Sequence, residues 1–235
     1  MTTGKYFIVT SPRSGSHYCA ESLAQRLQIL PLGECLHHMY PNDVYRFNNN
    51  ILEVHWPRNL KDQTTRRSSN QEIKDRVYNL ISTKNDWQGQ AHIAHLLPLG
   101  GSVLRDIVKN TNAILLYREN VLDTVLSWII AYETEKWVNT EAQTPNNIVY
   151  KRDIHLDKIK FLIKSDIHLK NLKNKYKWSK IYKYEDFTGN PDIDFAEYPK
   201  REQINVWNLP VKSNTEKEKR NIVQNITQLL EDINV

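Results

Sequence analysis

Cysteine is scarce: Cys19 and Cys35 are the only two among 235 residues. Two isolated thiols give neither a disulfide framework nor a CxxC metal pair, so both are expected to be reduced, in a cytoplasmic setting. Long apolar runs are scarcer still. One Lys precedes a short apolar stretch at the amino end, well below a signal-peptide core, and no later run reaches the length of a membrane span. Internal repeats are missing, and Pro145 to Asn147 reads as a loop and not a domain linker. Asn225 opens an Asn-Ile-Thr sequon, read as chance because it falls inside an expected helix of a cytosolic chain. Strong charge of one sign is lacking too, since 32 Lys and Arg against 27 Asp and Glu leave +5 and a pI near 9.0. That balance suits an anionic ligand and is too mild to argue for nucleic acid. What is present is a 40 % apolar content, enough to bury the core of one α/β domain spanning residues 1–235.

The segment Tyr6 to Leu27, YFIVTSPRSGSHYCAESLAQRL, passes from a β-prone run through a polar turn into a helical pattern. Cys19, Leu23, Leu27 and Leu30 recur at helical spacing. Ser14, Gly15 and Ser16 fall at the start of that helix, where unpaired N–H groups and the positive dipole end face the loop. Gly15 permits close backbone approach, Arg13 adds a forked permanent cation, and the hydroxyls add hydrogen bonds, so SPRSGS reads as a phosphate or sulfate cradle. The plainer reading is an ordinary turn with Ser16 as N-cap. A Walker A loop is excluded, because Gly15 is followed by Ser16 and His17 and not by Lys.

Further along, Ser69 and Glu72 form a capping box for a helix carrying Ile73, Val77, Leu80 and Ile81. The stretch from His37 to Ser68 shows no periodicity, and its basic RNLKDQTTRR reads as a solvated loop or an acceptor-binding flap. Gln90 to Leu97 alternates as a strand, and Ala113 to Tyr117 reads as a buried parallel strand. A helix from Asn120, with Asp123 behind it, turns Val121, Val125, Trp128, Ile129 and Tyr132 to the core. Ile154 to Tyr176 is a Lys-rich amphipathic helix, Ser179 to Tyr184 a strand, and Thr215 with Glu218 caps a last helix through Ile222, Ile226, Leu229 and Ile233. The sum is an α/β, three-layer fold with a central parallel sheet and helices on both faces.

Arg118 ends one of these strands, and Ser127 lies more than two turns into the next helix. Because ligands of open α/β sheets bind beyond the carboxyl ends of the strands, this pair and the SPRSGS loop should share one crevice. Taken singly, Arg118 reads as half of an ion pair with Glu119 or Asp123, and Ser127 as a polar face residue. Taken together, the two anion sites call for a ligand with negative groups at both ends.

SPRSGSHY, YRENVLDTVLS and YKYEDFTGNP, in that order from Tyr6 to Pro191, resemble the 5′-phosphosulfate loop, the 3′-phosphate motif and the YED segment of the sulfotransferase superfamily. Its members use 3′-phosphoadenosine 5′-phosphosulfate (PAPS) as donor and release adenosine 3′,5′-bisphosphate. The resemblance implies a P-loop-like fold. It implies that Arg13 contacts the transferred group, with Ser14, Gly15, Ser16 and His17 around the 5′-phosphate and Tyr18 stacked on adenine. Arg118 and Ser127 would hold the 3′-phosphate, Tyr184 would approach the base, and Lys212 and Ser213, in PVKSNTEKEKRN, would close over the donor. The long RKG loop of the enzymes acting on small phenols and steroids is missing. That moves the expectation to the carbohydrate, bacterial and viral branches and to a hydroxyl-bearing glycan or lipid acceptor. No nucleic acid partner and no membrane span are expected.

Sulfuryl transfer needs a base for the acceptor hydroxyl. Two residues compete: Glu34 in LPLGECLHH, similar to the catalytic Glu of bacterial glycolipid and tyrosylprotein sulfotransferases, and His95 in HIAHLLPL, similar to a strand-end His of the cytosolic enzymes. There Ile93 replaces the Lys of the cytosolic motif. His37, His38 and His92 show no HxxxH or HxH pairing with a carboxylate, so no metal is expected. Trp56, Trp87, Trp137 and Tyr132 could stack on an acceptor or belong to the core. The rival readings are a P-loop nucleoside or nucleotide kinase, which needs a loop Lys and a Mg²⁺-binding Asp, and a non-catalytic 3′,5′-ADP-binding module.

Overall fold

The computed structural model describes residues 4–37, 45–48, 51–54, 68–135, 147–199, 219–220 and 222–233. Its centre is a five-stranded, all-parallel sheet in the order β2 (Leu30–Pro31), β5 (Trp87–His92), β1 (Lys5–Thr10), β6 (Asn112–Tyr117) and β8 (Lys180–Lys183). Side chains alternate across a strand, so neighbouring residues feed different cores. Phe7, Val9, Trp87, Ala91 and Leu115 face α2 (Asn70–Ser82), α3 (Ile93–Leu96) and α4 (Gly101–Asn110). Ile8, Ile114 and Leu116 face the other way, onto α1 (Ser16–Leu27) and the aromatic rings of Tyr182, Phe187 and Phe195. Helices thus cover both faces of an α/β sheet, as expected. A third cluster joins α5 (Val121–Thr134) and α6 (Arg152–Asn171) to β7 (Ile148–Val149), β9 (Val223–Gln224) and α8 (Ile226–Ile233). Shorter elements include the β3–β4 hairpin (Tyr45–Asn48, Ile51–Val54), α7 (Pro191–Asp194) and the 3₁₀ turns Leu97–Leu99 and Tyr184–Asp186. No helix among the described residues is long and apolar enough to cross a membrane.

Two of the expected caps are present. Ser69 Oγ accepts from Glu72 N at 3.2 Å while Glu72 Oε2 accepts from Ser69 N at 2.7 Å, a reciprocal box worth about 1 kcal/mol to α2. Asn120 Oδ1 accepts from Asp123 N at 3.0 Å and starts α5.

Several expected boundaries move. Helix α1 stops at Leu27, where Gln28 takes the left-handed conformation, so Leu30 belongs to β2 and not to the helix face. The strand expected over Gln90 to Leu97 instead runs Trp87–His92, because Ile93 and Leu96 turn into the core as one helical turn. Tyr132 stays 42 % exposed, stacked on Trp128, and does not face the core. Helix α6 ends at Asn171, short of Tyr176, and Tyr184 leaves β8 to begin a 3₁₀ turn, Tyr184–Asp186. Ile222 precedes β9 and α8, and Asn225 stands between those two at φ 60°, outside any helix. The β3–β4 hairpin falls in the stretch without periodicity, and α4 begins at Gly101 with Gly100 as its N-cap. Thr215, Glu218 and RNLKDQTTRR lie outside the described residues.

Candidate functional site

All five parallel strands carry a candidate residue at or just past their carboxyl ends. In sheet order these are Glu34 after β2, His92 closing β5, Arg13 after β1, Arg118 after β6 and Tyr184 after β8. The order of the chain switches direction about β1, which is where such sheets open a crevice.

The β1 turn adopts the geometry of an anion nest. Arg13 and Gly15 take positive φ of 64° and 79°, and Gly15 is the N-cap of α1. A positive φ on Arg13 costs energy that surrounding contacts must hold. Those contacts are visible: Ser14 Oγ bonds Thr10 and the Ser11 carbonyl, and Ser11 Oγ donates to Asp166 on α6 at 3.1 Å. Gly15, not Ser16, therefore caps the helix, and Ser16 lies buried in its first turn.

Arg13 and the Arg118/Ser127 pair meet directly. Arg13 donates from Nε and Nη2 to Ser127 Oγ at 3.2 and 3.1 Å, and Arg118 Nη1 donates to the Arg13 carbonyl at 2.9 Å. The Arg118 guanidinium stacks 4.0 Å from the centre of the Tyr184 ring. That ring covers Gly15 so closely that a Cβ there would come within 2.1 Å of it. Asp123, one turn into α5, joins Arg118 Nη2 at 2.5 Å and Lys219 Nζ at 2.6 Å, so the plain ion-pair reading of Arg118 also holds. Lys219 was not anticipated. Its signal was the basic PVKSNTEKEKRN segment, but Lys212 and Ser213 lie outside the described residues. Burial, with repulsion from Arg118, lowers Lys219 to about 8 against the pull of Asp123. Burial and the same Arg118 charge lower Arg13 to about 10, leaving it charged at neutral pH.

The YED segment has a mechanical role. Glu185 accepts from the backbone N–H groups of Glu119 at 3.0 Å and Asn120 at 3.0 Å, fixing the turn that aims Arg118. Burial works against its charge, but these hydrogen bonds prevail and hold its carboxyl below the usual range.

On the other side, Glu34 and His95 come together with residues that sequence reasoning had kept apart. His92 Nε2 approaches Glu34 Oε1 at 3.4 Å and His17 Nε2 approaches it at 3.7 Å. The His95 ring lies 5.5 Å from that of His92 and 4.8 Å from that of His37. Burial, helped by His17 and Arg13, lowers His92 to about 4, so at neutral pH its approach to Glu34 is a dipolar contact and not an ion pair. His17 is lowered as well, by burial and Arg13 against Glu34. Both shifts carry the charge of Arg13, so the imidazole cluster and the anion nest lie within electrostatic reach of each other.

Tyr18 is a correction. Its ring is 4 % exposed among Phe187 and Phe195, and its hydroxyl donates to Asp194, so it is a core residue here and presents no face to an adenine. Trp87 is likewise fully in the core, while Trp56, Trp137 and His38 lie outside the described residues. A groove lined by Arg105, Lys109, Lys175, Tyr176 and Lys177 opens where α4 and α6 run out, at the amino ends of β6 and β8. It offers cations without a base and stands apart from the row of strand ends.

No protein-family model matches the chain, and no curated protein is significantly similar to it.

Proposed function

We propose that the chain is a sulfotransferase that moves a sulfuryl group from PAPS to a hydroxyl of a glycan or lipid, on a P-loop-like scaffold. The observation that carries this reading is the direct union of Arg13 with Ser127 and Arg118 across the ends of β1 and β6. Two anion-binding groups on one crevice suit a nucleotide with charge at both ends, which a single nest would not require. The residues fit such a ligand in a further respect. Arg118 Nε is buried with no hydrogen-bond acceptor among the described residues, a donor that a phosphate oxygen would satisfy.

In this reading Arg13, Ser14, Gly15, Ser16 and His17 hold the 5′ end, and Arg118 with Ser127 holds the 3′-phosphate. PAPS supplies an activated sulfuryl group whose S–O bond to the 5′-phosphate breaks as the acceptor oxygen bonds to sulfur. Arg13 and the first N–H groups of α1 stabilise the charge left on the departing oxygen, which requires no metal. Glu34 or His95 takes the acceptor proton, from the side of the crevice where both lie. Tyr184 positions Arg118 by stacking under it, and Lys219 and Asp123 set the charge around it.

The test is transfer of radiolabelled sulfate from PAPS to a panel of glycans, lipids and tyrosyl peptides, in chelator. Labelled product that disappears in Arg13→Ala supports the reading. Binding of adenosine 3′,5′-bisphosphate without transfer to any acceptor would point to the non-catalytic module, and transfer of a γ-phosphate from ATP to the kinase.

A further inference from the structure

We propose that Glu34, His92 and His95 form a binding site for a divalent transition cation of the zinc class. One ligand atom from each residue lies within 4.8 Å of the others, and all three side chains are partly buried. Two imidazoles and one carboxylate are a donor set suited to zinc or iron(II) and poorly suited to magnesium, which favours oxygen. Zinc about 2.0–2.2 Å from each atom of a tetrahedral set puts those atoms ~3.4 Å apart. His92 Nε2 and Glu34 Oε1 already stand 3.4 Å apart.

The backbone holds these residues in place before any ion arrives. Leu32 N donates to the Gln88 carbonyl at 2.7 Å and Gln90 N to the Gly33 carbonyl at 2.9 Å, which clamps the turn before Glu34 against β5. Gly33 makes that turn at φ 58°. Arg76 Nη1, buried beneath it, donates to the Cys35 carbonyl at 3.0 Å. His95 then follows His92 by one helical turn, the shortest way for a strand end and the next helix to aim two imidazoles at one point. His17 Nε2 stands 3.7 Å from Glu34 Oε1, and the His37 ring lies 4.8 Å from that of His95. The charge of Arg13 opposes a cation here and weakens the site. An ion would occupy the lone pairs that a base needs, so cation binding and proton abstraction exclude each other at any instant.

The proposal stands apart from the sulfuryl-transfer reading, because its test measures metal uptake by the full chain. Zn²⁺ titrated in competition with a chromophoric chelator should saturate at one ion per chain. Glu34→Gln, His92→Gln and His95→Gln should each weaken it by about tenfold or more, while His168→Gln, on α6, should leave it unchanged. Co²⁺ added to the unaltered protein should give the intense visible bands of a four-coordinate ion, removed by an equivalent of Zn²⁺. That measurement decides the matter even where a variant fails to fold. Absence of saturable uptake, uptake indifferent to His92 and His95, or a weak six-coordinate cobalt spectrum would overturn the proposal.

Discussion

The ends of β1, β6 and β8 gather cations, while the ends of β2 and β5 gather imidazoles, and the two sides are stabilised in opposite ways. Arg118 and Lys219 share the carboxylate of Asp123, and Arg13 lies beside them on Ser127. Their surplus positive charge is an electrostatic cost that the proposed bisphosphate would offset. The imidazole side avoids that cost by keeping His92 neutral beside Glu34. A group meant to hold a fixed anion must stay charged, whereas a group meant to take a proton or a cation must keep a lone pair. Adjacent strands of one sheet supply both conditions.

The sharpest way to separate the two sides is to disable one and assay the other. On the proposed sulfuryl transfer, changing to Gln whichever of Glu34 and His95 serves as the base should lower transfer by roughly 10²–10⁴-fold. Affinity for adenosine 3′,5′-bisphosphate should stay as it was, and equal loss of both would merge the two sides into one. Next in size is Asp123→Ala, which leaves Arg118 and Lys219 buried beside each other without their counter-charge. It should cost about 3–5 kcal/mol in urea unfolding, and a cost near zero would show that water already screens the cluster. Gly15→Ala should cost roughly 1–3 kcal/mol, because an L side chain is strained at φ 79° and its Cβ meets the Tyr184 ring. Weakened bisphosphate binding should accompany that loss.

The smallest effect is in pH. As pH rises through about 8, Lys219 loses its charge and bisphosphate affinity should fall several-fold, with Lys219→Met giving a flat profile. Stability should move the other way. Between about 8 and the ordinary lysine value of 10.5 the unfolded chain holds a proton that the folded chain has released, so stability rises with pH across that window. A bisphosphate affinity independent of pH in both proteins would detach Lys219 from the site.

The cationic side was legible in the sequence because each part is local. SPRSGS and YRENVLDTVLS each run strand, turn, helix without interruption, so period and capping residues locate Arg13, Arg118 and Ser127 together. The imidazole side was legible only in part. Glu34 and His95 could be singled out, but what gathers them with His92 is the pairing of β2 with β5, a long-range contact that no local pattern announces. Tyr18 failed for a related reason, since an aromatic at helical spacing reads alike whether it faces a ligand or Phe187 and Phe195. Helix α4 was not foreseen, starting as it does at Gly101 beside a second glycine, and the hairpin at Tyr45–Val54 lies in a stretch with no period to read. Lys219 could not be chosen from a run of lysines without the buried Asp123 that selects it.

Calorimetry of adenosine 3′,5′-bisphosphate binding tests the central claim most directly. One site per chain is expected, weakened about 10- to 150-fold by Arg13→Ala and by Arg118→Ala, the range for a charge-assisted hydrogen bond of about 1.5–3 kcal/mol, and unchanged by Glu34→Gln. No uptake, or uptake that ignores both arginines, would contradict the account.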